Sequence, residues 1–303
     1  MRTSYPRISR RMIGAQVNAR SKAGYTPLMF AARAGHIDLV QALLAAGANV
    51  NDVETNGFSV LDLAIANAHY ELAALLLTKG ADPNGDTAGW APLHLAIMVR
   101  NPEQLPVPDP IPTGKLTSLD LIKALLARGG DPNGRMKRRM RGGGKNGGHL
   151  NQVGATPFLL AAECADLVTM RLLLESGADP MLKTKDNATA LMAAAGTGHS
   201  QGKSPGSESD ALEAVKMTLA LGNDINAVDD SGFTAMHGAA IRGANSIIQF
   251  LVDRGARMNV KNKSGQLPLT IAEEGDGANS DIRAQPQAAA LLRTLMASTD
   301  RQK

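Results

Sequence analysis

Seven times along the chain, a turn built on glycine or asparagine opens a run of small and apolar residues, and a leucine-rich segment follows it. GYTPLMFAARAGH (24–36) leads into LVQALLAAGANVN, and GFSVLDLAIANAH (57–69) leads into LAALLLTKGADPN. The later openings are GWAPLHLAIMVR (89–100), GATPFLLAAECA (154–165), NATALMAAAGTGH (187–199), GFTAMHGAAIRG (232–243) and GQLPLTIAEEG (265–275). Within a unit, Leu39, Val40, Leu43 and Leu44 recur with the 3.6-residue period of a buried helical stripe. Thr26-Pro27 reads as a helix start, because the hydroxyl caps free amides and proline suits a first turn. The Ala31-Ala32 pair lets a second helix approach closely, and Gly47 suits the left-handed residue that ends one. Each unit is therefore predicted to be a pair of short helices. One pair cannot cover its own apolar face, so the pairs must stack into a solenoid.

The openings at 24 and 57, at 154 and 187, and at 232 and 265 are each 33 residues apart. With T-P-L-H, G-H, L-L and G-A-D-x-N signatures recurring in register, residues 14–297 resemble ankyrin repeats. The resemblance implies an all-α ankyrin-repeat solenoid of seven helix pairs, with β-hairpin fingers between units. His94 and His237 fall at the T-P-L-H position and His36, His69 and His199 at the G-H position, so local structural hydrogen bonds are expected of them. Residues 1–13 stand where a preceding unit's second helix belongs but lack its leucines. They read as a truncated or degenerate cap, the favoured expectation being that the chain is a piece of a longer protein. Residues 298–303 read as a tail.

The repeat also serves as a ruler for insertions. Ala31 to Gly47 is 16 residues, but Ala96 to Gly129 is 33 and Ala194 to Gly222 is 28. Units three and five thus carry extra residues between their helices, and the last unit carries a smaller excess. The first insertion, 101–117, holds five prolines and is expected to be a stiff strap over its own helices. The second, around 199–210, reads as a flexible polar loop with a turn at Ser204-Pro205. Gly47 to Gly57 is 10 residues but Gly129 to Gly154 is 25, so 134–153 is an overgrown finger. It carries Arg135, Lys137, Arg138, Arg139, Arg141 and Lys145 beside a glycine-rich run, and is expected to be solvated and mobile.

Composition narrows the function. The net charge is +4, yet residues 1–22 and 134–150 each hold six basic residues and no acid. Without them 20 basic residues face 28 acidic ones, a net of −8, which is not the even basic face of a dedicated DNA-binding domain. No apolar run reaches the length of a membrane-spanning helix. The single cysteine, Cys164, forbids an internal disulfide and permits a reducing compartment, so a cytoplasmic location is expected. No cysteine–histidine cluster suits zinc, no phosphate-binding glycine loop has its required spacing, and no off-register histidine activates Cys164. No enzyme activity, cofactor or metal is expected.

What remains is recognition. The chain has nine aromatic residues, five Phe, three Tyr and one Trp, and four of them follow the turn residue directly: Tyr25, Phe58, Trp90 and Phe233. The family resemblance implies that this finger-base position faces a concave groove, lined also by Arg33, Met98 and Arg242. Aromatic and arginine side chains dominate interface energies. A monomeric, non-catalytic scaffold that binds a protein partner in this groove is the expected function. The alternative is nucleic-acid or anionic-surface binding through the basic finger 135–145 and the basic N-terminus.

Overall fold

Residues 16–101, 111–140, 149–199, 206–275 and 282–301 are described in a computed structural model. Within them lie fourteen α-helices that follow one another as pairs. The first pairs are Pro27–Arg33 with Ile37–Ala45, Val60–Ala66 with Tyr70–Thr78, and Pro92–Arg100 with Ser118–Ala127. The next two are Pro157–Glu163 with Leu167–Glu175 and Ala190–Ala195 with Glu208–Ala220. Ala235–Arg242 with Asn245–Asp253 and Pro268–Glu274 with Pro286–Arg301 complete the series. The chain divides into two compact bodies, the first holding pairs one to three as far as Asp131 and the second holding pairs four to seven.

The helix starts form as the sequence requires. Thr26, Thr156, Thr189 and Thr234 each accept a hydrogen bond from the amide three residues on, and Pro27 and Pro157 occupy the first turn. Ser59, Thr117 and Ser207 do the same in reciprocal boxes with Asp62, Asp120 and Asp210. The alanines pack as expected: Ala31, Ala32, Ala64, Ala161, Ala162, Ala194 and Ala239 are all essentially without exposed surface. Leu43, Leu76, Leu125, Leu173 and Leu251 fill the same stripe of successive second helices.

Two polar registers recur along the chain, the first between neighbouring pairs and the second within each finger. The asparagine that closes each G-A-D-x-N segment donates its amide to the glycine carbonyl of the next pair: Asn18 to Gly47, Asn51 to Gly80, Asn84 to Gly129, Asn133 to Gly177 and Asn226 to Gly255. Its oxygen accepts in turn from that pair's backbone, as Asn51 does from Asp82 and Asn133 from Asp179, both within 2.8 Å. At pair four Met181 stands in the asparagine's place, and Asn223 of pair five donates back to the Pro180 carbonyl instead. The second register caps the fingers. Ser21, Glu54, Thr184, Asp229 and Asn262 each accept the amide four residues on through their side chains.

Among the described residues, the fingers are tight turns without a strand ladder; one isolated antiparallel bridge joins Val53 and Ser59. The turn residue needs a positive φ: Gly57 stands at 91°, and a Cβ there would strike the Thr87 carbonyl of the next finger. Asn187 fills this position at φ 65°, which asparagine tolerates best among residues with a side chain.

The described end of the proline-rich insertion is fastened to pair two. The Lys115 and Leu116 amides donate to the Glu71 carboxylate, and the Thr113 hydroxyl meets His69 Nδ1 at 3.0 Å. Residues 1–13, most of the prolines of 101–117, Arg141, Lys145 and Ser204-Pro205 lie outside the described residues.

Candidate functional site

The four finger-base rings do not form one exposed row. In the first body Tyr25 and Phe58 are half-buried, whereas Trp90 is only 3 % exposed. Phe58 and Trp90 meet edge-on with centroids 5.7 Å apart, while Tyr25 pairs with Phe30 at 5.2 Å. Phe30, in the first helix of pair one, is 54 % exposed; its register equivalents Leu63, Leu95 and Leu160 are all buried. Arg33 is exposed and Met98 is buried. In the second body Phe233 is 4 % exposed: it clusters with Ile241, Ile271 and Ile282, and the His149 ring stacks on it at 4.1 Å. Arg242 is half-buried and donates to the Gly206 carbonyl at 3.2 Å. Trp90, Met98 and Phe233 thus pack within the fold, which corrects the expectation that they present themselves to a partner. Tyr25, Phe58 and Arg33 keep accessible surface.

His149 belongs to the overgrown finger, and the finger differs from its expectation. Its described parts are fastened down. Met136 exchanges backbone hydrogen bonds with the finger base, its amide donating to Ala155 and its carbonyl accepting from Gly154. The Leu150 amide donates to the Thr197 carbonyl at 3.1 Å, and Arg139 donates to the Leu150 carbonyl at 3.2 Å. Met136, Met140 and Leu150 are each at most 5 % exposed. Apolar side chains interleaved with the cations supply the burial that holds the segment down. Arg135, Lys137, Arg138 and Arg139 remain on the outside, and Arg135 donates to the Lys183 carbonyl of the neighbouring finger.

Beneath this segment lies Glu163, which follows Thr156 by seven residues, as Arg33 follows Thr26. That register was a signal for Glu163 that composition and motif reading passed over. Its carboxylate accepts from the Gln152 amide at 3.2 Å, and a Cβ on Gly198 would collide with it. Burial pushes the Glu163 carboxyl up to about 7, against the opposing pull of the Gln152 amide and the Arg139 guanidinium. Burial likewise pushes the adjacent Cys164 thiol well up, with Glu163 and Asp166 adding to the effect, which leaves it a poor nucleophile at neutral pH. His237 is held by Thr234 and by the Gln266 carbonyl, and burial lowers it to about 4. Among the described residues, no group of three His, Cys, Asp or Glu side chains is placed to hold a metal ion.

Comparison with known proteins agrees with this architecture. The family model "Ankyrin repeats (3 copies)" matches residues 3–87 and 207–282, and "Ankyrin repeat" matches 153–185. The chain belongs to the ankyrin repeat family. The unmatched stretches, 88–152 and 186–206, hold the proline-rich insertion, the basic finger and the start of the polar loop. Among curated proteins, mouse "Ankyrin repeat and SOCS box protein 16" is 31 % identical over 117 residues, 39 % of this chain and 25 % of the relative. Mouse "B-cell lymphoma 3 protein homolog" is 28 % identical over 207 residues, 60 % of this chain and 39 % of the relative. The chain thus spans well under half the length of these relatives.

The ankyrin repeat domain of human ASB11 superposes with a TM-score of 0.59 at 23 % identity, over 88 % of this chain and 98 % of that one. The domain of Bcl-3 superposes with a TM-score of 0.54 at 24 % identity, over 90 % of this chain and all of the other. At such identities the likeness shows the fold. An ankyrin repeat protein is, by its family, a protein–protein interaction module. Among the described residues no helix is long and apolar enough to cross a membrane.

Proposed function

We propose that the protein is a non-catalytic scaffold that binds a partner protein through the finger bases and first helices of its ankyrin repeats, acting as a cytoplasmic monomer. The observation that carries this reading is the accessible cluster on pair one. Tyr25 and Phe30 form a ring pair with Arg33 one helical turn beyond Phe30, and Ile37 and Leu39 are also more than one-third exposed. The Tyr25–Phe30 ring pair is contiguous accessible apolar surface, which marks interaction sites. Phe58 extends the finger-base row, backed by buried Trp90. Tyr25, Phe58 and Arg33 are the direct contacts in this reading, while Trp90, Met98, Phe233 and Arg242 hold the surface in shape.

The test is quantitative capture from lysate with the wild type and with the variant Tyr25→Ser/Phe58→Ser/Arg33→Glu, after circular dichroism has shown both to be folded. A partner held by the wild type and lost by the variant is expected. If every specifically retained protein is held equally by both, the assignment of this surface fails.

One observation favours a second reading, anionic binding. Arg135, tied to the Lys183 carbonyl, gathers Lys137, Arg138, Lys183 and Lys185 onto two neighbouring fingers of the second body. No aromatic side chain accompanies them, so base stacking on a single strand has no platform here. A salt titration separates the readings, since phosphate neutralisation makes log affinity fall steeply with log salt.

A further inference from the structure

We propose that residues 135–140 and 149–153 are a built-in ligand: a segment of the chain seated on the finger-base and first-helix surface of pairs four to six, which a partner peptide must displace. This deepens the scaffold reading, since it rests on those positions being the ones that recognise partners. The first support is the contrast between equivalent positions. Phe58 and Tyr25 keep accessible surface and Trp90 is buried within its own body, whereas Phe233 at the same register carries the His149 ring of the segment stacked on it at 4.1 Å and 23°. At the register of exposed Arg33 and buried Met98, Glu163 is 7 % exposed and bonded by Gln152 of the segment, with Gly198 of pair five against it.

The second support is how the segment is held. Met136 closes the same finger-base turn that Glu54, Thr184, Asp229 and Asn262 close in the other fingers, and the main-chain bond that seats the segment on the neighbouring repeat is the Leu150 amide to the Thr197 carbonyl. The segment buries three apolar side chains, Met136, Met140 and Leu150, and its Gln152 amide donates to the buried Glu163 carboxyl at 3.2 Å. Main-chain bonds with side chains in successive sites are how extended peptides are bound elsewhere. The occupant also states the partner's chemistry: an extended peptide with a side-chain amide to donate to Glu163, a flat ring to stack on Phe233, and methionine- or leucine-sized side chains between them. The finger supplies each of these itself, through Gln152, His149, Met140 and Leu150. An intramolecular segment competes at a high effective concentration, so an external peptide binds weakly until the segment is loosened.

The experiment loosens it. The probe is a synthetic peptide of the chain's own residues 135–153, labelled and followed by fluorescence anisotropy against the full-length protein. His149→Ala/Arg139→Gln removes the stacking ring and the guanidinium that holds the Leu150 carbonyl, without touching the repeats. The variant is expected to bind the probe at least about tenfold more tightly than the wild type, and to lose amide protection at Leu150 in hydrogen exchange. Equal binding by both proteins would show the surface unoccupied and overturn the proposal. Loss of Leu150 protection without gain of probe binding would show a structural strap and overturn it too. Should the double variant not fold, His149→Ala alone carries the same two readouts. Neither readout depends on the surface of pair one, so failure here leaves the Tyr25–Phe58–Arg33 assignment standing, and the reverse.

Discussion

Asp62 shows how one substitution in a repeating register changes the chemistry. At this position pairs three and six carry His94 and His237, whose Nδ1 atoms accept the amide at the helix start, and His237 Nε2 also reaches the Gln266 carbonyl of the next finger. Asp62 takes over the first task, accepting from the Ser59 amide at 2.9 Å and its hydroxyl at 2.7 Å. Its other oxygen has no partner among the described residues, and burial pushes the carboxyl up from 3.8 to about 6. The folded form therefore holds its proton more tightly than the unfolded form. The stability this contributes is complete below about pH 4 and is lost as pH rises through about 6, a difference on the order of 3 kcal/mol. Asp62→Asn is expected to flatten that dependence, read as urea midpoints of the first body at pH 5 and pH 8. Asp62→His, which restores a ring able to reach the next finger, is expected to raise the midpoint at pH 8; a lowered one would refute this account. Trp90 belongs to the same scale. Packed against Phe58 and almost fully buried, its truncation to alanine is expected to cost about 3–5 kcal/mol by thermal melting.

Between elements, the bonds that matter are those linking one pair to the next. Asn51 satisfies the Gly80 carbonyl and the Asp82 amide together, so Asn51→Ala orphans two main-chain groups. Both lie near solvent, and a loss of about 1–2 kcal/mol is expected in urea unfolding. No loss at all would mean that water replaces the ladder. The basic finger is the other inter-element feature, and it was misjudged from sequence for a definite reason. Six cations and a glycine run read as a solvated arm, because charge density is the signal that local composition carries. Met136, Met140 and Leu150 were present in that composition but show no period, and nothing local says what they cover. Glu163, beneath them, adds a pH signature. Its folded pKa is raised from 4.5 to about 7, so its stabilising share is present below about 4.5 and lost as pH climbs through 7. His199 and His237, both lowered toward 4, act in the opposite range and are neutral in folded and unfolded forms well above 6.5. Between pH 7 and 8.5 the second body is therefore expected to lose stability through Glu163, and Glu163→Gln to abolish that fall in differential scanning fluorimetry.

At the scale of the molecule, a protein built from repeated pairs has no single active centre, and its recognition surface is whatever the repeats leave uncovered. Here pair one leaves Tyr25, Phe30 and Arg33 accessible, while pairs four to six are covered by the chain's own finger. The first body should accordingly engage a partner without rearrangement, and the second only after its segment is displaced. Hydrogen exchange on the wild type with saturating partner is expected to add protection around residues 25–33 and to leave Leu150 as protected as before. By itself, the sequence determined the helix pairs, their caps, their turns and the places of the insertions. Each of these rests on interactions within a few residues or on a spacing repeated along the chain: threonine to the amide three residues on, leucine at helical period, glycine or asparagine where φ must be positive. The tertiary structure alone decided which members of a repeated register stay exposed. Tyr25 and Phe233 are equivalent in sequence and unlike in surroundings: Phe233 clusters with Ile241, Ile271 and Ile282, and the ring stacked on it comes from an insertion with no period. Burial, and with it the raised carboxyl of Glu163, depends on residues that only folding brings together.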